Sequence, residues 1–274
     1  MDVAWEDLGI GSGHDDILWE LFHENTKLSR CFSGRSPKEI EKHVEGLQES
    51  LSFDGYPIIT LPRLLPPMAM SVGKAIQSRT SEREMIPRMV RLKQLATILH
   101  HSYGVTRRAG YGDRGLRATP SAGALFPLEL FVHARCVHDL APGLYHYNPT
   151  KHHLRHVRKG DCTEEIGNCF TEPAIPRQAS LIVFVTALFE RTTFKYGDRG
   201  YRFVFLEAGH VVQNINIVCS ALRLGSLNVG GFFDREIDKF LRLNGLNHSI
   251  IYIVVIGSKS KVSSKEPRIL GIGG

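Results

Sequence analysis

Two stretches decide the fold class: Leu181-Ile-Val-Phe-Val-Thr-Ala-Leu-Phe189 and Phe203-Val-Phe-Leu-Glu-Ala-Gly-His-Val-Val-Gln-Asn-Ile-Asn-Ile-Val-Cys-Ser-Ala-Leu-Arg-Leu224. The first is a short, nearly unbroken apolar run between polar segments, the pattern of a strand covered on both faces. The second has helical spacing, but Val211, Val212, Ile215, Val218, Ala221 and Leu222 spread over more than one face. Such a helix belongs in a domain centre or a subunit interface. Working outward, residues 128–134, 143–147 and 153–157 are rich in strand formers, and residues 250–256 make a last buried strand. Residues 88–103 predict an amphipathic helix with Leu92, Leu95, Ala96 and Leu99 on one face and Gly104 as its stop. Residues 105–120 read as a Gly- and Arg-rich loop, and 234–241 as a short helix. Strands and helices that mix without strict alternation indicate an α+β domain.

The expected organisation is a helical and extended N-terminal arm, residues 1–70, leading into a main domain, residues 71–274. Within the arm, Ile17, Leu18, Leu21 and Phe22 follow a cap at Asp15 or Asp16. Ser36-Pro37-Lys38-Glu39 is a capping box with proline in the first turn. The prolines from Pro62 to Pro67 enforce an extended connection. Hydrophobic residues make up 42% and charged residues 23%, ample for a packed core. No apolar run approaches the roughly 20 residues that cross a bilayer, and the acidic, Lys- and Arg-free start is unlike a signal peptide. A cytoplasmic location without membrane partners is expected.

The 5 cysteines (Cys31, Cys136, Cys162, Cys169, Cys219) are scattered and read as free thiols. A net charge of +6 favours anionic ligands. The basic residues form no stripe interleaved with aromatics, so nucleic acid is not the expected partner. His152, His153 and His156 lack a carboxylate or thiol partner nearby and read as exposed strand residues, with no metal expected. Gly9-Ile-Gly-Ser-Gly13 follows no strand and reads as terminal chain rather than a nucleotide loop. Tyr111-Gly-Asp-Arg-Gly115 recurs as Tyr196-Gly-Asp-Arg-Gly200 on unrelated flanks, which reads as two separate loops.

Two segments carry chemistry on residue grounds. In Ser78-Arg-Thr-Ser-Glu-Arg83, alternate side chains Arg79, Ser81 and Arg83 converge on one polyanion if the chain is extended. The same residues also suit a solvated charged loop. In Arg117-Ala-Thr-Pro-Ser-Ala-Gly-Ala-Leu-Phe-Pro127, small residues between prolines allow backbone to approach a flat ligand, with Gly123 free to adopt unusual dihedrals. A tight loop into the next strand explains them equally well.

The sequence Pro120-Ser-Ala-Gly-Ala-Leu-Phe-Pro-Leu-Glu129, with Gly143-Leu-Tyr-His-Tyr147, Lys195-Tyr-Gly-Asp-Arg-Gly-Tyr-Arg202, Glu207-Ala-Gly-His-Val-Val-Gln-Asn214 and Gly230-Gly-Phe-Phe-Asp234, resembles the SagB-type dehydrogenase branch of the FMN-dependent nitroreductase superfamily. The match runs over residues 78–259, and Phe22-His-Glu-Asn-Thr-Lys27 extends it less specifically. The resemblance implies a nitroreductase-like α+β fold, a central mixed or antiparallel sheet flanked by helices, and a homodimer with FMN at its interface. It places Arg79, Ser81 and Arg83 on the FMN phosphate and ribityl chain. Pro120, Ser121, Ala122 and Gly123 then lie along the flavin with Arg117 nearby, and Gly230 and Gly231 face the ring. One of Ser258, Lys259 or Lys261 is implied near the phosphate. It also implies that Lys195 and Tyr196 remove a proton from an azoline.

Oxidising a thiazoline or oxazoline to its azole removes one hydride and one proton from neighbouring ring carbons, so a base is needed beside the hydride acceptor. An ordinary lysine is a poor base at neutral pH and must be tuned by burial or cations; Arg191, Arg199 and Arg202 are available, opposed by Asp198. The expected function is thus an FMN-dependent azoline dehydrogenase acting on a peptide, beside a cyclodehydratase. The alternatives are an NAD(P)H-dependent nitro or quinone reductase, and an inactive flavin-binding scaffold of a biosynthetic complex.

Overall fold

The structure is a computed structural model, and it describes residues 17–30, 35–108 and 115–260. Lys261, Cys31, the 9–13 glycines, the Asp15/Asp16 cap and most of the first Tyr-Gly-Asp-Arg-Gly copy lie outside these residues.

The apolar runs read from sequence form one antiparallel sheet. Its strands are β1 (Ile58–Thr60), β2 (Met85–Ile86), β6 (Leu128–Ala134), β8 (Gly143–Asn148), β9 (His153–Lys159), β10 (Leu181–Leu188), β11 (Gly225–Val229) and β12 (His248–Lys259). They lie in the order β1-β9-β8-β6-β10-β12-β11, with β2 on the far end of β12. Two small pairs complete the strands: β3 (Val90–Arg91) with β7 (Val137–His138), and β4 (Val105–Arg108) with β5 (Gly115–Arg117). The strand β10 sits between β6 and β12, and seven of its eight residues are buried. This explains why its sequence does not alternate: both faces are covered.

Helices flank this sheet: α1 (Ile17–Asn25), α2 (Pro37–Gly46), α3 (Val72–Ser78), α4 (Leu92–Tyr103), α5 (Thr163–Asn168), α6 (Ala174–Arg177), α7 (Glu190–Tyr196), α8 (Arg199–Ala221) and α9 (Asp234–Leu241). One core layer lies between the sheet and α4 with α8, where Leu95, Leu99, Val204, Val211 and Ile215 meet Leu130, Val183 and Val254. A second layer, with Phe131, Phe184, Ile237 and Phe240, fills the opposite face beneath α9.

Several expectations change. The helix expected from residue 88 starts at Leu92, because Val90 and Arg91 pair in parallel with Val137 and His138. Gly104 ends it as expected, but through contact rather than backbone hand: its φ is −69°, and a Cβ there would lie 2.6 Å from the His100 ring. The 105–120 segment is not wholly a loop, since β4 and β5 pair within it. Tyr196 to Gly200 is not a loop either. Tyr196 closes α7, Gly197 breaks the chain direction at φ 56°, and Arg199 begins α8. The predicted strand histidines are not exposed: His153 is buried, and His156 stacks on Tyr145 with centroids 4.4 Å apart.

The N-terminal residues pack on the domain. Ile58 to Thr60 extend the sheet along β9. The Arg117 guanidinium donates to the Glu49 carbonyl, and Glu49 accepts from Gly115 N at 3.2 Å and Thr150 Oγ1 at 2.9 Å. The α2 capping box forms as read, with Ser36 and Glu39 bonding reciprocally.

Candidate functional site

Residues 120–127 fold into a tight cradle. Ser121 Oγ accepts from Phe126 N at 2.9 Å, a short 3-10 turn covers Ala122–Ala124, and Gly123 takes φ +64° within it. That left-handed backbone suits glycine, and space demands it as well. A Cβ on Gly123 would stand 2.8 Å from Tyr196 Oη and 2.9 Å from Lys195 Nζ. The Pro-Ser-Ala-Gly loop and the Lys-Tyr pair, far apart in sequence, thus meet at one point. Lys195 Nζ lies 5.2 Å from the centroid of the Tyr196 ring, which packs edge-on against Phe203 at 5.0 Å.

A buried polar hub fixes the helix that carries this pair. Glu129 forms an ion pair with Arg191 Nη1 at 2.7 Å, and its other oxygen meets His146 Nε2 at 2.6 Å. Leu51 N and Ser50 Oγ of the N-terminal segment also donate to it, at 3.1 and 3.2 Å. Burial alone would raise the Glu129 carboxyl, but Arg191 and the His146 hydrogen bond hold it well below the usual range. Arg191 stands one helical turn before Lys195 on α7, so the hub sets the helix position from which Lys195 projects.

The cations expected to act on Lys195 are otherwise engaged. Arg191 belongs to the hub, Arg199 donates to Thr26 O at 2.9 Å, and Arg202 Nε donates to Thr26 Oγ1 at 2.6 Å. The latter two tie α1 to the start of α8, beside an edge-on contact of Phe22 and Tyr201 at 5.4 Å.

A second polar cluster lies at the other end of α8. Ser78, Arg79 and Thr80, at the close of α3, line one pocket with Lys259 from the end of β12. Asn216, Ser220 and Ser226 complete it, with Leu224 as an apolar wall. Ser78 Oγ and Ser220 Oγ are 2.9 Å apart, and Ser226 Oγ donates to Asn216 Oδ1 at 3.0 Å. A guanidinium, an ammonium and several hydroxyls around one small space suit a phosphate ester.

Other sequence-derived candidates are placed differently. Ser81 and Arg83 are exposed and do not line this pocket; Ser81 forms a backbone bridge to Ser226. Ser258 pairs with Ile86 in the sheet. Gly230 is open to solvent, whereas the Gly231 carbonyl accepts from Thr171 Oγ1 at 2.9 Å. Pro120 is exposed, and Ala122 is half-buried on the cradle.

Arg117 requires correction. It is 3% exposed, its guanidinium 4.2 Å from the Tyr103 ring centroid and 4.8 Å from that of Phe126. It faces the interior, not the cradle's open side.

Sequence reasoning missed Glu207, a carboxyl on the buried face of α8. Tyr103 Oη donates to it at 2.6 Å, and it also hydrogen-bonds the Ser121 side chain. Burial pushes it up to about 7 despite these donors. The available signal was an acid between Val204, Ala208 and Val211 at helical spacing.

Comparison with known proteins now bears on these two clusters. The family model described as the nitroreductase family matches residues 76–258. The Methanocaldococcus jannaschii protein MJ1384, assigned by its name to the nitroreductases, is 36% identical over 165 residues, 60% of this chain and 81% of its own. The microcin B17-processing protein McbC of Escherichia coli is 27% identical over 143 residues, 47% of this chain and 49% of its own. Among solved structures, a nitroreductase-type protein of Anabaena variabilis superposes with TM-score 0.71 at 24% identity, covering 88% of this chain and 47% of that one. The Escherichia coli microcin synthetase McbBCD complex with truncated pro-MccB17 bound gives TM-score 0.59 at 20% identity, over 88% and 92% of the two chains. The chain therefore spans about half the length of McbC and of the Anabaena protein. At these identities the structures speak for the fold: an antiparallel sheet flanked by helices, as in nitroreductases.

Proposed function

The chain belongs to the nitroreductase family, whose members typically bind flavin, and from that premise we propose that it is an FMN-dependent dehydrogenase converting peptide thiazolines or oxazolines to azoles. The observation that carries this reading is the convergence of Lys195 Nζ and Tyr196 Oη on Gly123. A nicotinamide-driven reductase needs no base at that point, whereas azoline oxidation does. Similarity to a microcin B17-processing protein supports the same direction.

The two clusters divide the work. Arg79 and Lys259, with the surrounding hydroxyls, hold the FMN phosphate; the 120–123 cradle borders the ring, with Gly230 and Gly231 candidates to face it. Ser81, Arg83 and Ser258 stand close by in sequence without lining the pocket. When bound, FMN supplies the hydride acceptor, and molecular oxygen is the proposed final oxidant. The substrate loses one hydride and one proton; Lys195 Nζ takes the proton, and Tyr196 Oη orients the azoline or relays it.

The pocket is lined by Asn216 and Ser220 toward the end of α8, whereas Lys195 lies on α7 before its start. Phe205 and Leu206 on α8 are 42% and 60% exposed, an apolar face that a second copy would cover. A homodimer with FMN at its interface is the proposed assembly. A cyclodehydratase that makes the azoline is the proposed upstream partner.

The test is to incubate FMN-loaded protein with an azoline-bearing peptide and follow the mass loss of two hydrogens. Lys195→Ala keeps FMN and loses the reaction by a factor on the order of 10² to 10⁴. Full activity in that variant refutes lysine as the base. The similarity to MJ1384 favours a second reading, a nicotinamide-dependent nitro or quinone reductase; rapid bleaching of the flavin by NADPH with quinone turnover selects it. Bound flavin that no substrate reduces marks a scaffold.

A further inference from the structure

Building on the proposed flavin site, we propose that Glu207 is a positioning residue of that site, acting through the single hydroxyl hydrogen of Ser121.

The geometry leaves Glu207 few ways to satisfy its charge. It is 3% exposed on α8 and forms no ion pair among the described residues. The groups facing it are Tyr103 from α4, Arg117 from β5, Arg191 from α7 and Ser121 from the cradle. Tyr103 Oη is committed: it donates to Glu207 at 2.6 Å and accepts from Leu128 N at 3.1 Å. Ser121 is the one adjustable partner. Its oxygen already accepts from Phe126 N at 2.9 Å.

The hydrogen-bond inventory then gives two states. With Glu207 ionised, the Ser121 hydroxyl donates inward to the carboxylate and offers the cradle's outer side no donor. With Glu207 protonated, its acid hydrogen goes to Ser121 Oγ, and the serine hydrogen turns outward toward the flavin side. Burial lifts the carboxyl to about 7, so both states are populated near neutrality. The inward-facing Arg117, stacked on Tyr103, steadies the ionised state rather than touching ligand.

The experiment measures FMN affinity of the flavin-free protein by fluorescence, on both sides of neutral pH, for the parent, E207Q and S121A. The FMN phosphate titrates in this range too, but identically for all three, so ratios between proteins remove it. Relative to S121A, the parent should bind roughly fivefold tighter at low pH, the worth of one hydrogen bond, and lose that advantage as pH rises through neutrality. E207Q, whose amide donates permanently to Ser121, should keep the advantage at every pH. In the flavin-free parent, an infrared carboxylic-acid band should titrate near neutrality, vanish in E207Q and shift its midpoint in S121A. A parent-to-S121A ratio independent of pH, or a band whose midpoint ignores S121A, overturns the role. A protein that takes up no FMN sinks the proposed function along with it, whereas FMN binding without the pH step sinks this role alone.

Discussion

Gly123→Ala separates the fold from the chemistry. Two costs fall on the protein. The first is backbone: an L-residue at φ +64° is disfavoured by about 1–2 kcal/mol. In a chain of this size that lowers Tm by roughly 2–8 °C. The second is contact, with the new methyl 2.8 Å from Tyr196 Oη and 2.9 Å from Lys195 Nζ. Both atoms are tips of flexible side chains, so they swing aside and the fold relaxes cheaply. Those tips are also the proposed proton acceptors, and a displacement of about 1 Å costs on the order of 10² in rate. The variant should therefore melt a few degrees lower, retain FMN and oxidise the azoline peptide about a hundredfold more slowly. Initial rates of mass loss, flavin absorbance and a thermal melt read these three quantities. Turnover within about twofold of the parent, with the methyl in place, refutes the claim that proton removal needs this placement.

Other consequences are as direct. Arg79→Ala and Lys259→Ala should each weaken FMN binding roughly 10- to 100-fold, the range of a charge-assisted hydrogen bond. Riboflavin, lacking the phosphate, should be unaffected, and equal losses for both ligands place the phosphate elsewhere. Glu129→Gln leaves Arg191 buried without its counter-charge and should cost about 3–5 kcal/mol in urea unfolding; a loss under about 1 kcal/mol refutes the hub. Stability should also fall with rising pH through Glu207. Its folded pKa, about 7, exceeds the ordinary 4.5, so its contribution is complete below 4.5 and lost as pH rises through 7. The loss is on the order of 3 kcal/mol, and Glu207→Gln should abolish the slope in pH-dependent melts. Glu129 works oppositely: its lowered pKa gives stability above 4.5 that is lost as pH falls.

Much of this was legible in the sequence where a physical signal is strong. The runs behind β10 and β12 are rich in β-branched residues and largely buried, and such strands read as nearly unbroken apolar stretches. Lys195, Tyr196, Gly123, Arg79 and Lys259 all fell within recognisable segments. The helix α7 was missed because Glu-Arg-Thr-Thr-Phe-Lys-Tyr has β-branched residues at its middle and a lone core aromatic, Phe194. Tertiary anchoring through Arg191 makes it helical, which local propensity does not register. The strand β11 carries a glycine, a serine and an asparagine among its five residues, and its pairing with β12 defines it. Arg117 illustrates a different limit. A guanidinium stacked between Tyr103 and Phe126 has the same one-letter code as one reaching into solvent, and only packing tells them apart. Ser81 and Arg83 show that alternation in an extended segment does not ensure that three side chains reach one cavity.

The short pairing of Ile58–Thr60 with β9 bears on where this protein can be cut. That strand closes one border of the sheet by pairing with the main chain of β9. A fragment trimmed to residues 76–258 keeps all that the family model matches, yet it loses this closing strand together with the Ser50 and Leu51 contacts to Glu129. Its bare border would template strand addition between molecules. The smallest self-contained unit is thus larger than the segment that the family model matches.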